Sequence, residues 1–170
     1  MANPTMTLIG SPIVVGSGGV SSVTFSSIPS TYTDLVVKVS ARGSAAAINI
    51  NTTLTFNGSS TGYSEKLLQG NGSSAGSYSA AAFNWASDAN GASSTANTFN
   101  NGEIYIPNYA SSNYKSASVD VVVENNASGG FDNFDAALWS NTAAITSITL
   151  TGSSSYVQYS TFYLYGISSS

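Results

Sequence analysis

The chain has no cysteine and no histidine, and charged residues make up only 7% of its 170 residues. Without cysteine, disulfides and thiolate metal sites are excluded. Without histidine, the commonest general base and the commonest metal ligand are missing. The four basic residues, Lys38, Arg42, Lys66 and Lys115, are scattered along the chain. Phosphate backbones and anionic lipid surfaces both call for clustered Lys and Arg, so neither nucleic acid nor a membrane is an expected partner. No apolar run approaches the roughly 18 residues of a membrane span. The opening MANPTMTLIGSPIVV lacks the basic region and long apolar core of a secretory signal. The expectation is a protein made in a cytoplasm and not exported by the usual route.

What is present is apolar and neutral. Hydrophobic residues reach 42%, enough for a single domain over residues 1–170 with a real core. Charge falls far below the roughly 25% of an ordinary soluble domain. Ser, Thr, Asn and Gly together supply roughly half the chain, a bias that suits Ser/Asn/Gly turns and Thr-rich strand faces. With a net charge of −4 there is little electrostatic repulsion, so copies associate easily.

Alternation is the dominant pattern. In DLVVKVSAR, Leu35, Val37, Val39 and Ala41 share one face while Asp34, Lys38, Ser40 and Arg42 share the other, the period of a half-buried strand. Ile48, Ile50, Thr52, Leu54 and Phe56 alternate in the same way, and Asn57-Gly58 then predicts a hairpin turn. Further strands are expected in 20–28, 63–70, 98–109, 114–125 and 144–152, and in the aromatic 159–167. Asn101-Gly102 reads as a turn or bulge. Residues 1–12 read as an arm or edge strand, and Gly70 to Asn97 as a long loop with one short strand near Ala82 to Trp85. No window carries sustained helical periodicity. The predicted fold is all-β, an antiparallel two-sheet jelly-roll-like sandwich with little or no helix. Its predicted core is Leu35, Val37, Val39, Ile50, Leu54, Phe56, Ile104, Ile106, Val119, Val121, Val123, Leu138, Ile148, Leu150, Phe162 and Leu164.

Catalytic chemistry is thinly supplied. Glycoside hydrolysis needs only two carboxylates, and Glu65, Glu103 and Glu124 fall on predicted strands. Glu103 and Glu124, however, oppose the apolar faces of their strands. The expectation is no enzyme, no catalytic residue, no cofactor and no metal. GGFDNFD places Asp132, Asn133 and Asp135 close together, a possible calcium loop, but an Asx-type turn accounts for it more simply. The aromatics carry more weight. Trp85, Tyr105, Tyr109, Tyr114, Tyr159, Tyr163 and Tyr165 are candidates for a subunit or partner interface, since exposed aromatics anchor proteins and stack on sugars. In the last strand Phe162 and Leu164 alternate with Tyr163 and Tyr165, so both faces call for cover, by a central position or by another copy of the chain.

Five stretches carry a resemblance: IPSTYTDLVVKVSAR (28–42), LTFNG (54–58), IYIPNYASSNYKS (104–116), AALWSNTAAITSITL (136–150) and STFYLYGI (160–167). In this order they resemble a family of small β-structured virion proteins of tailed bacteriophages, of the cyanophage and marine-phage type. The resemblance implies a jelly-roll type sandwich used in capsid decoration, head-fibre and tail-fibre proteins, and it brings no catalytic residues. Gly70 to Asn97 has no counterpart. The implied function is a homotrimeric capsid decoration (cement) protein, made in the bacterial host cytoplasm and bound to the outer face of the major capsid protein shell. A chain this short without a fibrous repeat favours that over a whole fibre. The alternative is a head- or tail-fibre protein binding host-surface glycans; a β-sandwich glycoside hydrolase comes third.

Overall fold

Every regular element in the computed structural model, which describes residues 5–126 and 129–168, is a β-strand. In chain order the strands are β1 (Met6–Leu8), β2 (Ile13–Val14), β3 (Val20–Phe25), β4 (Asp34–Ser40), β5 (Asn49–Ile50), β6 (Thr52–Phe56) and β7 (Tyr63–Gly70). There follow β8 (Ala75–Ala80), β9 (Ala89–Asn90), β10 (Asn101–Ile106), β11 (Lys115–Val123), β12 (Phe131–Trp139), β13 (Ile148–Tyr156) and β14 (Thr161–Ile167). Nine of them form one antiparallel sheet in the order β1-β14-β4-β10-β11-β12-β7-β8, with β2 also on β14. A three-stranded sheet, β3-β13-β6, faces it, and β5 pairs with β9. The protein is thus an all-β antiparallel sandwich with unequal layers. Of the predicted N-terminal arm, β1 is an edge strand on β14, and residues 1–4 lie outside the described residues.

One apolar cluster joins the layers. From the large sheet come Leu35, Val37, Ile104, Ile106, Val121, Phe162 and Leu164, and from the small one Leu54, Phe56, Ile148 and Leu150, each no more than 1% exposed. Period-two alternation places these side chains on one side of each strand, and burying them drives the layers together. Loops complete the smaller layer. The Leu54 N–H donates to the Phe83 carbonyl (2.8 Å) and the Ala86 N–H to the Thr52 carbonyl (3.1 Å), so segment 83–86 runs along the free edge of β6. An unpaired edge invites another strand, and this segment covers it.

Several expectations change. Asn57-Gly58 does turn, at φ of 53° and 70°, but β6 and β7 do not form a hairpin: β6 pairs with β13, and β7 with β12 and β8. The Asn57 side chain instead binds segment 144–147, accepting from the Thr146 N–H (2.8 Å) and donating to the Ala144 carbonyl (2.8 Å). The turn carries the chain from one sheet to the other. Asn101-Gly102 is neither turn nor bulge but the start of β10. A Cβ on Gly102 would stand 2.5 Å from Ser87 Oγ, so glycine lets the 81–91 segment lie against the sheet. Ile48 is exposed, lying just before β5 begins at Asn49, while Ile50, Thr52, Leu54 and Phe56 keep the predicted alternation.

Residues 70–97 are not one long loop. A hairpin, β7-β8, occupies the first part, and Ala82 to Trp85 is not a strand. The rest is tied down by side chains. The Arg42 guanidinium donates to the carbonyls of Thr95 (2.9 Å), Thr98 (2.9 Å) and Ser94 (2.8 Å). Asn100 donates to the Asp88 carbonyl (2.7 Å) and to Ser87 Oγ (3.0 Å). Such bonds satisfy backbone groups that no ladder reaches.

Candidate functional site

The seven aromatic candidates do not form one surface. Tyr109 is fully buried, its hydroxyl donating to the Pro29 carbonyl. It is a core residue, and the interface assignment is corrected. Tyr114 and Tyr159 are 59% and 69% exposed, the latter in a turn at φ 72°. Tyr163 and Tyr165 stack on each other (6.4 Å, 17°) on the outer face of the large sheet. Tyr105 joins them there, because Tyr165 and Tyr105 both stand opposite Val36 in register. Val36 is buried between them although it points outward. Much of the second face of the last strand is therefore covered within the chain itself, by a place inside the sheet. Trp85 stands apart, half-buried in the loop beside Tyr78 (ring centroids 6.2 Å).

At the β7/β12 side the sheet is inverted. Phe134 and Leu68 are register partners and face outward, 54% and 55% exposed, followed along β12 by Leu138 at 38%. Leu138 is thus not a core residue. Trp139, one residue on, takes the inward place, stacked on Tyr63 (6.1 Å, 16°) and close to Phe56 (5.6 Å). A tryptophan fills more of the interior than a leucine, and it sets the parity of the strand. The same parity turns Asn133 and Asp135 inward, while Asp132 faces solvent. The Asp132–Asp135 segment is consequently strand, neither an Asx turn nor a converging calcium loop, and no metal-competent cluster of acidic side chains occurs among the described residues.

Glu65 from β7, Asp135 from β12 and Asp88 from the loop lie inside, each at most 4% exposed. Glu65 accepts from the backbone N–H groups of Asn84 (2.9 Å) and Trp85 (3.2 Å), pinning the loop to the sheet. Asp88 accepts from the Asn133 amide (3.3 Å), and the Asn133 amide oxygen accepts from Gln69 (3.0 Å). Neither carboxylate oxygen of Asp135 has a partner among the described residues. Burial, reinforced by the Glu65 and Asp88 charges, pushes Asp135 up to about 8. Burial pushes Asp88 up to about 7, with the Glu65 charge adding to it and hydrogen bonds from Thr52 and Asn133 opposing. Glu65 is raised as well, by burial, against its two backbone bonds. Burial thus favours the neutral form of each of these carboxyls.

Above Asp88 opens a cleft of about 270 Å³ lined by Asn49, Asn51, Leu67, Gln69, Tyr78, Trp85, Asp88 and Phe131. Glu65 and Asp135 do not line it, so one carboxyl and not a pair reaches it. Of the sequence-stated acids, Glu103 pairs with Lys38 on the outer face and Glu124 is exposed. The β12 parity, anchored on Trp139, was the signal in the sequence for Asn133 and Asp135; nothing marked Asp88.

No family model, curated protein or solved structure matches the chain.

Proposed function

We propose that the chain is a structural subunit of a bacteriophage virion, a homotrimeric decoration protein on the outer face of the major capsid protein shell. The observation that carries this reading is the outer face of the nine-stranded sheet. It presents Phe134, Leu68 and Leu138 at one end and the Tyr163–Tyr165 stack with Tyr105 at the other. Only a short charged band, Lys38, Glu103 and Asp120, lies between them in register. Outward apolar groups in such a row, on a chain 7% charged, suit a face that meets other subunits. The resemblance in 28–42, 104–116 and 160–167 supports the same reading, since β4, β10 and β14 are adjacent central strands. The role is non-catalytic, because a single carboxyl at the cleft supplies no acid–base pair.

The test combines sedimentation of the purified chain with binding to capsid shells stripped of surface proteins. A trimer that binds shells and raises their resistance to heat is expected, with association lost in Phe134→Ser and Leu68→Ser. A chain monomeric at about 100 µM with no affinity for shells would overturn the reading.

A further inference from the structure

The geometry points to a second site: we propose that the cleft between β8 and the 81–91 segment binds a neutral saccharide. It goes beyond the docking reading and lies off the outer face, since Tyr78 is the register partner of the inward-facing Leu67.

The chemistry of the lining selects the ligand. Trp85 and Tyr78 meet at 45° and form an aromatic wall, Tyr78 being 52% exposed. Aromatic faces of this kind pack against the C–H face of a sugar ring. Asn49, Asn51 and Gln69 also line the cleft, the Gln69 amide N–H already donating to Asn133. The Asn49 and Asn51 side chains make no hydrogen bond among the described residues, so their donors and acceptors are open to hydroxyls. Asp88 also lines the cleft, but it is only 2% exposed and its unpartnered Oδ1 is buried, so the amides and not this carboxyl offer the polar contacts. A concave, part-apolar pocket with a few convergent polar groups is the usual form of a small-ligand site.

Charge decides against other ligands. No lysine or arginine lines the cleft, so an anionic sugar or a phosphate would find no counter-charge there. A cationic ligand would leave the amide donors unused. An adjoining hollow of about 240 Å³ shares Phe131 but is lined by glycines and the exposed Glu124 and Asp132, and it lacks an aromatic wall.

The test titrates the intact chain with neutral hexose and N-acetylhexosamine oligosaccharides, and with uronate oligosaccharides as the acidic set, by calorimetry and glycan array. Binding of at least one neutral saccharide is expected, weakened at least about tenfold in Trp85→Ala and in Tyr78→Ala. Tyr78 sits on an edge strand and is half exposed, so its variant folds even if that of Trp85 does not. Phe134→Ser keeps saccharide binding while losing association, which separates this site from the docking face. Three results would overturn the proposal: no binding up to about 10 mM, binding unchanged in Tyr78→Ala, or preference for uronates.

Discussion

Two halves of one sheet follow opposite rules. Across β14, β4 and β10 the interior is Leu164, Val37 and Ile104, and the outside carries tyrosines and the Lys38–Glu103 pair. Across β12 and β7 the interior holds Asp135, Asn133 and Glu65 alongside Tyr63, Leu67 and Trp139, and the outside carries Phe134, Leu68 and Leu138. The first half is what hydrophobic burial alone produces. The second is costly on both faces: desolvated acids within, apolar side chains in water. Cost of that kind is concentrated where a cleft and an exposed face lie, the two places for which binding is proposed.

The sharpest way to break the comparison is to attack the first half. Ile104→Ala should lower stability by about 3–4 kcal/mol, read as a fall in urea midpoint. Gly166→Ala should lose about 2 kcal/mol, because a Cβ there would stand 2.2 Å from the Tyr32 ring. Equal tolerance of either change would mean that this half is not the stabilising one.

In the second half stability should depend on pH. The folded pKa of Asp135 is about 8, above the value near 3.9 of an unfolded chain. The native state therefore binds the extra proton between those limits. From this group stability should be greatest below about pH 4, fall by up to about 1.4 kcal/mol per unit as pH rises towards 8, and level off above it. Asp135→Asn should flatten that slope and stabilise the protein above pH 7. Urea titrations from pH 5 to 9 decide it; an unchanged slope would place the protons elsewhere.

Smaller effects sharpen the contrast on the outside. Phe134→Ser should change chain stability by no more than about 0.5–1 kcal/mol, while altering the oligomeric state measured by sedimentation. Lys38→Ala should cost less than about 0.5 kcal/mol in urea unfolding, since both side chains of the ion pair are nearly half exposed, at 45% and 44%.

Much of the sandwich was legible. β7 occupies the predicted 63–70, and of the predicted core only Leu138 lies outside the buried set. The site was less so. Trp85 and Glu65 were singled out, but for a partner interface and for hydrolysis, and not as cleft wall and loop anchor. Asn57-Gly58 carried a true turn signal, yet what the turn joins depends on which sheet each flanking strand enters. Tyr109 read as a surface aromatic because composition cannot distinguish a tyrosine whose hydroxyl finds a buried carbonyl from one that meets solvent.

The residues alone determined that this chain forms strands and that they must bury one face each, because period-two alternation admits few other solutions. They excluded thiolate and histidine chemistry outright. Trp139 hinted at the inward face of β12, but the tertiary structure decided it, since Phe134–Ala136–Leu138 and Asn133–Asp135–Ala137–Trp139 are both consistent sets and the choice falls to the volume around Trp139. That choice brings Glu65, Asp88 and Asp135 together from distant parts of the chain and leaves Phe134 and Leu68 facing water. Neither result is local, and so neither is written in any single stretch.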